Sequence, residues 1–183
     1  MSVDAAAGDV RSLLEEVRAT FPARFAATAR LLGEAGMDAA AIAELATEVV
    51  GEPEPFDRGI PTLREGVHRP VTPMLAARFA YAGTWTQSLQ TWLGIADMER
   101  AHVDSVVGEH IASHREHWEG SAPARFPPER LSLFGLVDEQ PEDQTYLVWP
   151  PGDGPEPELW TYAGHHEQRF PDLRHYLRWV LTT

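Results

Sequence analysis

Leu131-Ser132-Leu133-Phe134-Gly135-Leu136-Val137, followed by Thr145-Tyr146-Leu147-Val148-Trp149, is the stretch that decides the fold class of this chain. The first run is short and apolar, and Gln140-Pro141-Glu142-Asp143 supplies turn chemistry after it. The second is almost entirely β-branched or aromatic, as strands prefer. Pro150-Pro151-Gly152-Asp153-Gly154-Pro155 must be a loop, because proline fixes φ and removes a ladder donor. Leu159-Trp160-Thr161-Tyr162 reads as a third strand, stopped by Gly164. Pro171 and Asp172 open a last helix in which Leu173, Tyr176, Leu177, Val180 and Leu181 make one apolar face, spaced to pack across the strands.

Upstream the pattern is helical. Asp9 caps a helix running to about Ala19, with Leu13, Leu14 and Val17 on one side. Pro22 starts a second, with Phe25, Ala29 and Leu32, ended by Gly33 and Gly36. Asp38 caps a third, in which Ile42, Leu45 and Val49 mark a buried face and Gly51 the stop. Glu52-Pro53-Glu54-Pro55 is a stiff acidic connector, and residues 60–73 permit only a short helical turn. Thr72-Pro73 begins a helix carrying Leu75, Phe79 and Ala82, and Thr84 caps another with Leu89, Trp92 and Leu93. A helix from about Ala96 to Trp118 follows, and the prolines of Ser121–Glu129 suggest a boundary. The expectation is an α+β fold: a predominantly helical region over residues 1–120, then a small antiparallel sheet packed by the C-terminal helix over 121–183, in two domains or one.

At 183 residues the chain can bury a sizeable core. It contains no Cys, Lys or Asn, and all fifteen basic residues are Arg, as coding in a GC-rich bacterial genome would give. Disulfides and thiolate chemistry are thereby excluded, as are a lysine-dependent phosphate loop and Schiff-base chemistry. Met1-Ser2-Val3-Asp4 lacks the basic flank and apolar core of a signal peptide, and no apolar run approaches the ~20 residues of a membrane span. A cytoplasmic protein without membrane contact is expected.

The formal net charge is −13, unevenly distributed. Between Arg30 and Arg58 lie seven acids (Glu34, Asp38, Glu44, Glu48, Glu52, Glu54, Asp57) and no Arg. Between Arg130 and Arg169 lie eight: Asp138, Glu139, Glu142, Asp143, Asp153, Glu156, Glu158 and Glu167. Phosphate binding requires the opposite sign, so nucleic acid is disfavoured as a partner and a basic protein is favoured.

Candidate chemistry is sparse. His102, His110, His114 and His117 share one helical stretch, and His110 and His114 have the i, i+4 spacing of a metal-chelating pair. Ile111 follows His110 where a zincin helix carries its glutamate, and His117 is ~10 Å along the axis from His110, so a third ligand must come from elsewhere. No serine sits in a G-x-S-x-G elbow, Gly152-Asp153-Gly154-Pro155 is not a dinucleotide fingerprint, and His165-His166-Glu167 reads as a polar loop. No catalytic residue and no cofactor is assigned.

Arg130–Leu136, Thr145–Trp149, Glu156-Pro157-Glu158-Leu159-Trp160-Thr161-Tyr162 and Phe170-Pro171-Asp172-Leu173-Arg174-His175-Tyr176-Leu177 together resemble the closing half of SUKH-superfamily proteins. Those run from an "lFG" strand through an "EP-x-Φ" strand to a helix opened by "F-x-s/d-Φ-x-x-Φ/Y-L". The resemblance is confined to residues 130–177, and the family's amino-terminal Asn-Gly-Gly turn has no counterpart here. It implies an α+β fold and the role of many bacterial members, immunity proteins that bind and neutralise toxins. The expected function is therefore a non-catalytic acidic binding protein that neutralises a basic toxin. Asp138, Glu139, Glu142, Asp143, Asp153, Glu156 and Glu158 would meet the basic surface, with Trp160 or Trp149 as aromatic anchor. The alternatives are a metal-binding protein using His110 and His114, and a structural adaptor.

Overall fold

The computed structural model of the chain describes residues 3–101, 103, 105–137, 140–151, 156–164 and 166–183, with the backbone alone for residues 3–5, 101, 105 and 140–142. Seven strands form one antiparallel sheet: β1 (Glu48–Val50), β4 (Trp85–Gln87), β5 (Gln90–Trp92), β6 (Leu131–Val137), β7 (Gln140–Val148), β8 (Glu158–Ala163) and β9 (His166–Phe170), adjacent in that order. β2 (Ile60–Pro61) and β3 (His68–Arg69) make a separate two-stranded ladder. The helices are α1 (Val3–Glu34), α2 (Ala39–Leu45), α3 (Pro73–Tyr81), α4 (Ile95–Ala101), α5 (Ser105–His117), α6 (Ala122–Arg125) and α7 (Leu173–Val180). The class is α+β, and no described helix is long and apolar enough to cross a membrane.

Strand pairing sorts the side chains. Leu147, Leu159 and Phe170 are cross-strand partners on one face of the sheet; Tyr146, Trp160 and Arg169 are partners on the other. On the first face, Tyr176 of α7 stacks on Phe170 at 5.5 Å and on Trp92 at 6.3 Å, and accepts a 2.8 Å hydrogen bond from the Trp92 indole. α1 and α3 lie beside α7 there, burying Val10, Leu14, Val17, Leu75 and Phe79. On the second face, Tyr162 meets His114 and Trp118 of the α5 end at 5.2 and 5.0 Å, and its hydroxyl accepts from the Ala122 amide that begins α6. Helices thus cover both faces, and the buried face of α7 is the one its spacing indicates: Leu173, Tyr176, Leu177 and Val180.

The first two-thirds is not purely helical, and the sheet is larger than the expected one. Thr84 does not cap a helix: Trp85-Thr86-Gln87-Ser88-Leu89-Gln90-Thr91-Trp92 is the β4–β5 hairpin. The octapeptide is almost a palindrome, so folding it in the middle sets Trp85 against Trp92, Thr86 against Thr91 and Gln87 against Gln90. The two indoles pack edge to face at 4.8 Å and the threonine hydroxyls bond at 2.9 Å, cross-strand rewards that a lone helix cannot supply. Residues 60–69 form the β2–β3 ladder rather than a helical turn, with Gly66 at φ 72° between the strands. His166 and Glu167 belong to edge strand β9, not to a loop. Val49 lies in β1 and is 57% exposed, and α2 buries none of its residues. α1 runs through Pro22 as one helix; alanines at positions 19, 23, 26, 27 and 29 favour helix on both sides of the lost amide. The stretch 96–118 holds two helices, α4 and α5.

Among the described residues, one arginine sits in the core. Arg78, in the last turn of α3, is 1% exposed and donates to the carbonyls of Ala82 (2.5 Å), Gly83 (3.0 Å) and Trp92 (3.4 Å). Its guanidinium lies 5.5 and 5.9 Å from the ring centres of Phe79 and Phe134. Burial lowers its pKa to about 10, so it stays charged at neutral pH. Glu54 approaches the same region: it accepts from the Ala96 amide at 2.8 Å, in the first turn of α4, and a Cβ on Gly94 would lie 2.7 Å from its carboxylate. Arg78→Leu strands the carbonyls in the core and should cost about 3 kcal/mol or more in urea unfolding; an unchanged midpoint would contradict this role.

α7 is capped by Asp172, which accepts from the His175 amide at 2.9 Å and from its ring Nδ1 at 2.7 Å, while Arg174 lies 3.4 Å away. Partial burial disfavours the Asp172 charge, but these donors outweigh it and hold the pKa below the ordinary carboxylate value. A depressed folded pKa gives stability that is present above the unfolded carboxylate pKa and is lost as pH falls through the folded one. Asp172→Asn should therefore be less stable than wild type by about 1 kcal/mol at neutral pH. That gap should close on acidification, as followed by urea titrations at a series of pH values.

Candidate functional site

The antiparallel order brings several turns to one end of the sheet. Gln87 and Gln90 flank the β4–β5 turn, Gln90 pairs with Val137 at the end of β6, and Val137 pairs with Gln140 at the start of β7. Asp143 accepts a 2.6 Å hydrogen bond from the Gly164 amide in the β8–β9 turn. β1 starts at the same end, since Glu48 faces Gln87. α1 and α7 run side by side toward it: Arg174 is near Asp9 (3.7 Å), and farther along Arg24 donates to the Val180 carbonyl (3.2 Å).

α1 does not stop there. Phe21 is its last buried apolar residue, and residues 22–34 continue for ~20 Å beyond. The chain reverses through Gly36 at φ 92°, and α2 returns, capped by the Asp38 carboxylate on the Ala40 and Ala41 amides (both 2.9 Å). The result is a helical arm held by few contacts, the Ile42 side chain against Gly33 among them. Leu31 is 58% exposed on it and Met37 38%.

Between the root of this arm, the end of α7 and the β4–β5 hairpin is a cleft of about 230 Å³. Phe21, Phe25, Trp92, Tyr176 and Trp179 supply its apolar walls; Arg24, Gln87, Ser88 and Gln90 supply polar groups. Arg24 donates to the carbonyls of Val17 (3.3 Å) and Val180 and to Gln87 Oε1 (3.2 Å). Desolvation lowers its pKa. Gln87 passes the network on, donating at 2.8 Å to Glu48, which also accepts from the Trp85 indole (3.1 Å) and from Arg18 (3.3 Å). Ser88 turns the hairpin at φ 54°, a left-handed value that costs energy for a residue with a Cβ. Arg24 was not singled out by sequence, yet the stripe Val17, Phe21, Arg24, Thr28 has helical spacing, and an arginine inside an apolar stripe is a readable signal.

Of the expected acidic surface, the described side chains, Asp143, Glu156 and Glu158, do not come together. Asp138, Glu139 and Asp153 lie outside the described residues, as does the Glu142 side chain. Asp143 is at the hairpin end, half-buried on the Gly164 amide. Glu156 and Glu158 follow the far end of β7, and Glu158, paired with Val148, is roughly 17 Å from Asp143 at strand rise. Glu156 faces inward: it accepts from the Thr72 hydroxyl and, at 3.0 Å, from the Met74 amide, so it caps α3 from 82 positions away. Burial pushes its pKa up, against those hydrogen bonds. Glu158 accepts from the Trp160 indole at 2.8 Å. Trp160 is 3% exposed, packed on Phe126 and under the Arg169 guanidinium at 3.7 Å, so it cannot serve as a surface anchor. Trp149 is half-buried, its indole directed to Ser132.

The histidines separate as well. His114 is buried against Trp118 and Tyr162, His110 is half-buried and His117 is exposed; His102 lies outside the described residues. Among the described residues no three His, Asp or Glu side chains gather as a metal set.

In comparisons with protein-family models, curated proteins and solved structures, no match to this chain was found.

Glu48 organises the root of the site, and Glu48→Ala removes the acceptor of three donors. A loss of about 2 kcal/mol is expected in chemical denaturation, and a variant as stable as wild type would show that Gln87 and Trp85 are positioned by other means.

Proposed function

We propose that this chain is a non-catalytic acidic binding protein, and that its arm docks a basic protein. The observation that carries this reading is the arm itself. It presents Leu31 and Met37 to solvent, α2 buries nothing, and Glu34, Asp38 and Glu44 surround the apolar residues without an Arg between positions 31 and 57. Apolar contact surrounded by one sign of charge favours a partner carrying the opposite sign. The net charge of −13 disfavours a second copy of this chain in that place.

The specific role we propose is that of the SUKH-type immunity proteins which residues 130–177 resemble: neutralisation of a basic toxin by steric occlusion. The contact surface is centred on the arm and the hairpin end rather than on Glu156, Glu158 and Trp160, whose side chains are engaged internally.

Capture of tagged protein complexes from the native lysate, at low and at moderate salt, tests this reading. One basic protein should be retained, released as salt rises, and inhibited at saturating amounts of the chain. Leu31→Glu with Met37→Glu should weaken that complex by about tenfold or more. A retained partner that keeps its full activity would overturn neutralisation. A partner that binds the double variant as tightly as wild type would remove the arm from the interface.

A further inference from the structure

Within this acidic protein, Arg24 is a cation whose hydrogen bonds among the described residues go to neutral oxygens: two main-chain carbonyls and the Gln87 amide, at 3.2–3.3 Å. Charge-assisted N–H···O⁻ bonds are commonly 2.7–2.9 Å, so these are long and weak substitutes. Three of the five guanidinium N–H donors are used, and Nε is buried with no acceptor among the described residues. Glu48, on the far side of Gln87, is already engaged by Arg18, Trp85 and Gln87. The same guanidinium borders the cleft of about 230 Å³, whose aromatic walls are Phe21, Phe25, Trp92 and Trp179, with the neutral polar groups of Gln87, Ser88 and Gln90 beside them.

We propose that this cleft binds a small carboxylate with an aromatic body, the carboxylate paired with Arg24 and the ring held among Phe21, Phe25 and Trp179. The chemistry follows from the lining. An aromatic cleft with one convergent charged group is the usual form of a small-ligand site, the apolar walls giving affinity and the charge giving orientation. Arginine is suited to a carboxylate because its planar fork can donate twice. Phosphates fit less well, since more than one cation is normally needed in a chain of net charge −13 and Arg24 is the one cation among the described residues that line the cleft. That net charge also opposes any free anion at long range, so recognition has to come from contact inside the cleft. The site is independent of which macromolecule the arm binds.

3-Phenylpropionate and 3-phenylpropionamide, titrated separately into the full chain, test the proposal without any mutation. The two share the aromatic body and differ in the head group, a charged pair of acceptor oxygens against a neutral amide that keeps one acceptor and gains N–H donors. Calorimetry should give a dissociation constant of about 1 mM or tighter for the acid. The amide should bind at least about tenfold more weakly. In NMR spectra the acid should shift the amides of Ser88, Gln90 and Thr183. Arg24→Gln should reduce the acid to the affinity of the amide while the amide itself is unaffected. Equal binding of acid and amide, shifts mapping away from the cleft, or no binding of the acid at about 5 mM would each overturn the site.

Discussion

The arginine inside the core fixes how the rest of the molecule meets. Arg78 reaches from the last turn of α3 to the carbonyls of Ala82, Gly83 and Trp92, so one planar group ties the end of a helix to the end of β5. A guanidinium this deep would be prohibitively costly without compensation. The compensation is distributed: the carbonyl end of α3, whose dipole favours a cation, the faces of Phe79 and Phe134, and the nearby Glu54. It demands close backbone approach as well. A Cβ on Gly83 would stand 2.4 Å from the Glu52 carbonyl and one on Gly94 2.8 Å from the Thr84 amide, so glycine at both positions is a condition of the arginine's surroundings.

A charge count therefore overstates what a partner can meet. Glu54 bonds the first turn of α4, Glu156 that of α3, and Asp172 that of α7, while Glu48 holds Trp85 and Gln87. Carboxylates at helix N-termini satisfy amides that have no partner within the helix and complement its dipole. Acids doing this work contribute little to a docking surface. Glu34, Asp38, Glu44, Glu52 and Asp57 stay exposed, so the run from residue 34 to 57 is an acidic region whose charge still faces solvent, even with Glu48 and Glu54 turned inward.

How far the sequence was legible depended on whether the deciding interaction was local. The last helix, its Asp172 cap, the Asp38 cap and strands β6 and β8 rest on spacing within a few residues, and their form in the structure follows that spacing, whereas β7 starts at Gln140 and takes in the residues 140–143 that read as a turn. Glu156 looked like loop charge because its partners, Thr72 and Met74, are more than eighty positions away. The β4–β5 hairpin was hidden for another reason. Leu89, Trp92 and Leu93 also have helical spacing, and only the mirrored order from Trp85 to Trp92 separates the two readings. His114 carried a chelating pattern with His110, but its ring packs against Trp118, just past α5, and Tyr162 of β8.

The arm and the cleft are not separate appendages, because α1 builds both. Phe21 and Arg24 belong to the packed part of the helix, Phe25 and Thr28 line the cleft as the helix leaves the core, and Leu31 follows within one further turn. A helix extending ~20 Å past its last buried apolar residue, with a seven-residue partner that buries nothing, keeps its direction mainly through its root. An anion on Arg24 with a ring against Phe25 would add contacts at that root and none at the tip. Its effect on a protein docked at Leu31 and Met37 would act through the orientation of α1 alone. Coupling between the two sites is then limited by the differential affinity of the cleft ligand for the arm's orientations. The same limit applies in the other direction.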